Sequence, residues 1–293
     1  MSPQATGSTT GTELLVAATL RLKSVGVENP SGDARILLAF ALGVDRSRLT
    51  LILPDEVLPE QAEVYGRAIE ARAARQPVAQ IIGHRAFYGR DFIVTGDVLD
   101  PRPDTELLIE AALAAPFDHV LDLGTGSGCI LLTLLKETEG TWGVGTDLSH
   151  EALDVARTNR AHLDLDGPAV LRHGSWYDAL DQDDGLNRFD LIVSNPPYIS
   201  QDEMAQLDPE VVNWEPHMAL SPGGDGLDAY REITAQALAH LSERGRLVVE
   251  IGKDQGAAVS ALFLAAGLNG VEVLKDLNGH DRVVVGRAAQ PAS

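Results

Sequence analysis

Asn195-Pro196-Pro197-Tyr198 is the stretch of this 293-residue chain whose residue types most directly suggest a reaction. Two successive prolines remove two backbone donors and stiffen the loop, while their carbonyl acceptors stay free to point outward. Asn195 adds a side-chain carbonyl acceptor, and Tyr198 adds a flat aromatic face. The combination suits a primary amide or an exocyclic amine as nucleophile. The nitrogen lone pair of such a group is delocalised into a π system, so it attacks a sulfonium methyl poorly. Two acceptors, the Asn195 side chain and the Pro196 carbonyl, can grip its two N–H groups, favour pyramidalisation and aim the lone pair. The Tyr198 ring can hold the planar group by stacking. The electrostatic task is to stabilise positive charge growing on nitrogen, and in-line placement of nitrogen, methyl and sulfur supplies the rest. No strong general base is required before transfer, because the methylated nitrogen is acidic and loses its proton afterwards.

A second constellation precedes this one. The run Asp122-Leu-Gly124-Thr-Gly126-Ser-Gly128 follows an apolar segment and opens a helical one. Glycines are needed where the backbone turns sharply and must approach a ligand with no side chain between. A strand, a glycine turn and a helix start together make a nucleotide-type site at the carboxyl end of a sheet. The spacing is G-x-G-x-G, not the G-x-G-x-x-G of dinucleotide folds. Asp147 ends the next apolar segment. A carboxylate there can accept two hydrogen bonds from ribose hydroxyls, or it can cap the helix that follows.

The elements that must position these residues are legible in the hydrophobic pattern. From residue 12 to about 76, apolar residues recur at helical spacing, as in Leu14, Leu15, Ala18 and Leu22, then Ile36, Leu37, Phe40 and Ala41. Ser31 reads as the N-cap of the second run. Val57 to Arg75 reads as a third helix, with Pro59 near its start. Ala86-Phe-Tyr88, Gly89-Arg90 and Asp91–Val94 read as the first strand, turn and second strand of a hairpin, and Thr105 to Ala115 reads as a helix. From His119 strands and helices alternate. The strands are His119–Leu123, Trp142–Asp147, Ala169–His173, Phe189–Ser194 and Gly245–Ile251. The helices are Ser127–Glu137, Ser149–Ala161, Leu227–Leu241 and Gln255–Ala266. This alternation implies a mostly parallel sheet covered on both faces. Val271–Leu274 and Arg282–Gly286 are too close for a helical crossover and should pair antiparallel.

Composition narrows the functional classes. No apolar run reaches the length of a membrane span, and the first residues, MSPQATGSTTGTE, lack the features of a signal peptide and read as a frayed tail. One cysteine, Cys129, excludes an internal disulfide and a multi-cysteine zinc site, and fits a reducing cytoplasm. The eight histidines show no His-x-x-x-His or Glu-x-x-His spacing, so a metal site is not expected. The net charge of −20 is unevenly divided. Residues 1–85 hold nine acidic and nine basic side chains, while residues 86–293 hold 34 acidic and 14 basic ones. Such a surface repels phosphate backbones and lacks the basic footprint of a nucleic-acid binder. It serves solubility or salt adaptation, or it attracts a basic protein partner.

With both motifs in place, the sequence resembles the release-factor glutamine N5-methyltransferases, the HemK/PrmC family. The resemblance spans nearly the whole chain. It includes Arg72-Ala-Ala-Arg-Gln-Pro77, Gln80-Ile-Ile-Gly83, Phe87-Tyr-Gly89, Pro101-Arg-Pro-Asp-Thr-Glu106, Asp122–Gly128 and Asn195-Pro-Pro-Tyr198-Ile199. It continues through Glu215-Pro216, Gly224-Asp-Gly-Leu227, Tyr230-Arg231, Glu250-Ile-Gly252 and Gly286-Arg287. It implies an α/β class I S-adenosylmethionine-dependent methyltransferase with a Rossmann-like seven-stranded sheet, an N-terminal helical bundle and a linking β-hairpin. The domains would be residues 1–83 (helical, gripping the release factor), 84–100 (hairpin) and 101–293 (catalytic). Cofactor contacts would fall on Gly124, Thr125, Gly126, Ser127, Gly128, Asp147, Trp176 and Asn195. Substrate contacts would fall on Asn195, Pro196, Pro197 and Tyr198, with Asn195, Pro196 and Tyr198 as the catalytic set. The substrate implied is the glutamine of the Gly-Gly-Gln motif of peptide chain release factors. Asp104 stands where the family usually has Glu, and an acidic loop, Asp181 to Gly185, lengthens the path from Trp176 to Asn195.

Some assignments stay open on sequence alone. Trp176 reads either as a cofactor contact or as a core tryptophan. Glu106 either orients the cofactor loop or caps the helix at Thr105, and Arg102 could pair with Asp104 or Glu106 on the surface. Cys129 reads as a small packing residue. Two other functions share parts of the pattern. An adenine N6-methyltransferase acting on nucleic acid also uses Asn/Asp-Pro-Pro-aromatic, but would need a base-flipping pocket and a basic face. A methyltransferase of a ribosomal-protein glutamine is nearer, but Pro101–Glu106 and Glu215-Pro-His-Met-Ala-Leu220 look more like the release-factor branch.

Overall fold

The computed structural model describes residues 9–180 and 187–288; the acidic loop Asp181–Gly185 lies outside them. The chain forms two compact units, residues 1–83 with 208–214, and residues 84–207 with 215–293. No helix among the described residues is long and apolar enough to cross a membrane.

The first unit is helical: α1 (Gly11–Ser24), α2 (Pro30–Leu42), α3 (Leu49–Ile52), α4 (Pro59–Ala73) and α5 (Val78–Ile82), with α10 (Pro209–Trp214) from the later segment. Helices of this length are marginal alone, so burial of an apolar face must hold them. Leu22, Leu37 and Leu38 are fully buried here beside Tyr65, each worth roughly 1.5–3 kcal/mol against exposure. The start of the chain is more ordered than a frayed tail from Thr10 on. Thr10 caps α1, accepting from the Glu13 amide (3.3 Å) while Glu13 accepts from the Thr10 amide (2.8 Å). Asn29, not Ser31, caps α2, because Pro30 takes the first helical position, where a missing N–H costs nothing. Arg72 is buried between Asp33 (2.6 Å) and Glu210 (2.8 Å), and Arg75 reaches Glu210 at 3.3 Å. Two cations facing two carboxylates meet the pairing that buried charge demands.

The second unit opens with the hairpin β1 (His84–Phe87) and β2 (Arg90–Ile93). Its two turn residues are Tyr88 and Gly89, both at positive φ (47° and 74°), the conformation a tight two-residue hairpin turn demands. The turn therefore lies one residue earlier than Gly89-Arg90, and Phe87 pairs with Arg90.

The 3₁₀ turn Pro103–Thr105 leads into α6 (Glu106–Leu113), and the sheet follows: β3 (His119–Leu123), α7 (Cys129–Glu137), β4 (Trp142–Asp147), α8 (His150–His162), β5 (Ala169–His173) and β6 (Phe189–Ser194). After the short helices α9 (Gln201–Met204) and α11 (His217–Leu220) come α12 (Asp228–His240), β7 (Leu241–Glu250), α13 (Gly256–Ala265), β8 (Asn269–Lys275) and β9 (Asp281–Arg287). The seven strands lie in the order β5-β4-β3-β6-β7-β9-β8, parallel except for β9, which runs antiparallel to both neighbours. This is the seven-stranded fold that the resemblance implies, and the last two strands pair antiparallel as their short spacing requires. Separate apolar cores fill the two faces, one under α6 and α7, the other under α12 and α13. The central strands are buried on both sides, which is why Leu121, Leu191, Ile192 and Val193 read as continuous apolar runs. Strand order reverses beside β3, whose neighbours are β4 and β6. Ligands of open α/β sheets bind at such a point, beyond the carboxyl ends of the strands.

Candidate active site

The two motifs meet because their strands are neighbours in register. Leu123 of β3 pairs with Ser194 of β6, and the buried Ser194 hydroxyl donates to the Leu123 carbonyl at 2.7 Å. Gly124 and Asn195 therefore leave adjacent strand ends side by side. Both line one cavity of about 320 Å³, with Asp147, Trp176, Thr105 and Pro197 in the same wall. That volume lies within the range of small-molecule sites.

The glycine loop takes a shape that a side chain would oppose. Gly124, Gly126 and Gly128 all have positive φ (71°, 53° and 80°). A Cβ on Gly126 would meet no atom within 4 Å, so its backbone faces open space. Thr125 and Asp122 brace the turn from beneath: the Thr125 hydroxyl donates to Asp122 at 2.6 Å, and the Leu131 amide donates to the same oxygen at 3.3 Å. Asp122 is fully buried, and burial pushes its carboxyl up to about 7.

Asp147 holds the loop and the following helix together. One carboxylate oxygen accepts from the Gly126 amide at 2.8 Å, and the other from the Ser149 amide at 2.9 Å. Burial raises its pKa, opposed by these amide donors. A carboxylate oxygen accepts more than one hydrogen bond, so these anchors leave acceptor capacity on the cavity side. The cap of α8 falls to Ser149, which accepts from the Ala152 amide at 3.0 Å.

Trp176 stands between the core and the cavity. Its ring packs against the core beneath α12 and also lines the cavity, with Cζ3 3.5 Å from where a Cβ on Gly124 would stand. Its φ of 44° is left-handed, costly for a bulky residue and concentrated in proteins at functional positions. Thr125, Ser127 and Cys129 also line the cavity. Apolar surroundings push the Cys129 thiol up to about 12, consistent with a packing residue and a poor nucleophile.

The Asn-Pro-Pro-Tyr corner is divided. Asn195 and Pro197 line the cavity, whereas Pro196 is buried and Tyr198 is not among the lining residues. The Tyr198 carbonyl accepts from Gln255 at 2.9 Å, and Cδ2 of its ring lies 3.4 Å from a Cβ placed on Gly252. Burial pushes its phenol up to about 12, with the Glu250 charge next in weight, so the ring is a neutral phenol at physiological pH.

Several residues that shape the site carry no sequence signal of their own. Asn159 of α8 is fully buried and reaches three backbone groups. It accepts from the Ile93 amide (2.7 Å) and donates to the carbonyls of Ile93 and Ser127 (both 2.9 Å). It thereby fixes the hairpin to the glycine loop. Glu106 neither orients that loop nor caps the helix by a side-chain bond; it accepts from the Tyr88 amide at 3.2 Å and holds the hairpin turn. Arg102 pairs with neither Asp104 nor Glu106. Its Nη2 contacts both oxygens of the buried Glu215 (2.6 and 2.8 Å), while Asp104 pairs with Arg282. Among the described residues no cluster of His, Cys, Asp or Glu is arranged to hold a metal ion.

Residues 13–83 match the PrmC N-terminal domain, and residues 96–225 match the methyltransferase small domain. A release factor glutamine methyltransferase of Cereibacter sphaeroides is 56% identical over 94% of this chain and 97% of that protein. One from Caulobacter vibrioides is 46% identical over 92% and 93%. A methyltransferase crystal structure from Pyrococcus furiosus shares the fold, with a TM-score of 0.52 at 15% identity over 76% of this chain and 98% of that one.

Proposed function

Because this chain belongs to the release factor glutamine methyltransferase (HemK/PrmC) family, we propose that it methylates the side-chain amide nitrogen of the glutamine in the Gly-Gly-Gln motif of peptide chain release factors. The observation that carries the reading is the shared cavity wall of Asn195, the glycine loop and Asp147.

The cavity suits S-adenosylmethionine in shape and charge. Bare backbone at Gly126 leaves room for a close ligand, and Asp147 has acceptor capacity for paired hydroxyls. Asp97, Asp228 and Glu232 add carboxylates to the wall, which suits a cationic ligand. In this reading Gly124 to Gly128, Asp147, Trp176 and Asn195 hold the cofactor. When bound, the cofactor supplies an electrophilic methyl group on sulfur.

The chain's own residues prepare the amide. Oδ1 of Asn195 and the Pro196 carbonyl accept from its two N–H groups, which withdraws the lone pair from conjugation and turns it towards the cavity. Each acceptor strengthens as positive charge develops on nitrogen. The reading places the carboxamide at the edge of the cavity, between Asn195 and the Tyr198 ring, with Pro197 as the rigid floor. The acidic balance of the chain, −20 overall, disfavours a nucleic-acid substrate.

Incubation of the enzyme with a release factor and methyl-labelled cofactor, followed by peptide mass spectrometry, tests the reading. The expected product is one methyl on the Gly-Gly-Gln glutamine. Labelling of a ribosomal protein or of DNA or RNA, with the release factor unmodified, would replace the reading with one of its rivals.

A further inference from the structure

Pro196 and Pro197 have no N–H, so the corner they form can be tethered only at its ends, by side chains or through carbonyls. At one end the Ser194 hydroxyl donates to the Leu123 carbonyl at 2.7 Å. At the other, Nε2 of Gln255 donates to the Tyr198 carbonyl at 2.9 Å. Gln255 stands just before α13, where a capping side chain would bond the first helical amides, yet it makes no such bond. Its side chain turns to the corner instead. Oε1 accepts from the Gly252 amide, in the loop after β7, at 2.9 Å, and from the buried Tyr230 hydroxyl at 3.3 Å. Nε2 also approaches the Gly226 carbonyl at 3.4 Å. Gly226 closes the far side of the clamp. A Cβ there would stand 2.5 Å from the Tyr198 carbonyl oxygen, and its φ of 78° is left-handed.

We propose that Gln255 is a positioning residue for methyl transfer: its amide fixes the Tyr198 end of the corner, and with it the aim of the Pro196 carbonyl and the Tyr198 ring. The inference rests on the reading of that corner as the seat of the glutamine amide. The direction of the Gln255 amide is dictated by backbone partners whose roles cannot change. The Gly252 N–H can only donate and the Tyr198 carbonyl can only accept. Oε1 must therefore face the first and Nε2 the second. Turned over, the amide would set oxygen against oxygen and N–H against N–H, leaving part-buried groups unsatisfied. Few torsions between Pro196 and Tyr198 are free to turn, because both proline φ angles are locked. A shift of the Tyr198 carbonyl is passed on to the Pro196 carbonyl rather than absorbed. A displacement of about 1 Å in such a site can cost about 10²-fold in rate. Gln255 is not among the residues lining the cavity, so it acts on the reaction through Tyr198 without touching the cofactor.

The test compares Gln255→Glu and Gly226→Ala with the parent, in the full chain, with a release factor as substrate. Gln255→Glu keeps the size of the side chain and the acceptor for the Gly252 amide, and removes the donor to Tyr198. At about pH 9 its kcat should lie roughly 10- to 100-fold below the parent's, with the Kd for S-adenosylmethionine within about twofold. A carboxyl set against a carbonyl oxygen holds its proton to higher pH than usual, and once protonated it donates again. The kcat of the variant relative to the parent should therefore climb several-fold as pH falls to about 6. Parental kcat at the alkaline end overturns the proposal. So does a parallel loss of kcat and cofactor affinity, or a deficit that does not shrink as pH falls. Should Gln255→Glu fail to fold, Gly226→Ala decides, since its methyl presses on the same Tyr198 carbonyl from the opposite side. Its kcat should fall with cofactor affinity retained, and parental kcat there overturns the proposal. An unmodified glutamine with the parent enzyme would instead overturn the underlying reading.

Discussion

The side chain of Asn159 donates to the carbonyl of Ser127 at 2.9 Å, so a residue in the last turn of α8 holds the glycine loop from behind. The same side chain satisfies both backbone groups of Ile93, at the end of the hairpin. Loop and hairpin are therefore positioned by one amide with no solvent exposure.

Asn159→Ala should leave three backbone groups without partners. A buried polar group left unsatisfied costs about 1–3 kcal/mol, and partial rehydration of the hairpin edge will recover some of that. The expected loss is roughly 2–4 kcal/mol by urea denaturation, together with weaker cofactor binding in calorimetry. A loss below about 1 kcal/mol would mean the hairpin and loop hold themselves.

Asn195→Ala separates chemistry from binding. The acceptor that grips the amide in the transition state is removed, while the glycine loop and Asp147 remain. Turnover should fall by roughly 10²-fold or more, with cofactor affinity largely retained. Equal loss of kcat and cofactor affinity would make Asn195 chiefly a binding residue.

Asp147→Ala should show the reverse pattern. It removes the acceptor for the Gly126 and Ser149 amides as well as the proposed hydroxyl contacts. Hydrogen bonds to a charged group are worth about 1.5–3 kcal/mol, so the Kd for S-adenosylmethionine should rise roughly 10- to 100-fold. Single-turnover chemistry at saturating cofactor should change little. A cofactor Kd equal to the parent's would remove Asp147 from the binding set.

Much of this arrangement was legible in the sequence because local physics dictates it. The strands β3, β4, β5 and β6 read with their observed bounds, because each is a short, mostly apolar segment set between turn residues and helical runs, and the central β3 and β6 are buried along most of their length. The glycine loop and the Asn-Pro-Pro-Tyr corner were visible because turns and stiff loops demand those residue types. What stayed hidden depends on contacts between distant segments. Asn159 lies in a helix like any other polar residue, and only the fold brings it to Ile93 and Ser127. The partner of Arg102 is Glu215, 113 residues away, so no local spacing reveals it. The short helices α9 and α11 lie in a stretch without periodicity and were not expected. Ser200 caps α9 with a Glu203 capping box, a signature present in the sequence.

Glu250 makes stability depend on pH in a direction that can be worked out. Burial pushes its carboxyl up to about 7 from an ordinary 4.5. Below 4.5 the group is protonated whether folded or unfolded, and no penalty arises. Between the two values the unfolded chain releases the proton and the folded chain keeps it, so stability falls as pH rises. Above 7 both states are ionised and the full cost is present, of order 3 kcal/mol at 1.36 kcal/mol per unit. Glu250→Gln removes this dependence. The stability of the variant relative to the parent should therefore rise by a few kcal/mol between about pH 5 and pH 8, measured by denaturation at each pH. Asp122 contributes with the same sign in both proteins and cancels in the difference. A relative stability that does not vary with pH would show that Glu250 titrates alike in both states.

The charge distribution yields a last prediction. Residues 1–85 are balanced, while the remainder carries the whole −20. If that surface attracts a basic face of the release factor, kcat/KM at low substrate should decline as salt rises, because exposed charges are screened over a Debye length of about 10 Å at ~0.1 M. Steered association responds mainly through the on-rate, so kcat at saturating release factor should stay level while KM climbs. Cofactor affinity supplies the internal control, since its contacts lie inside a cavity and are less screened. A kcat/KM that is flat across salt would assign the acidic surface to solubility and leave substrate recognition to packing and hydrogen bonds.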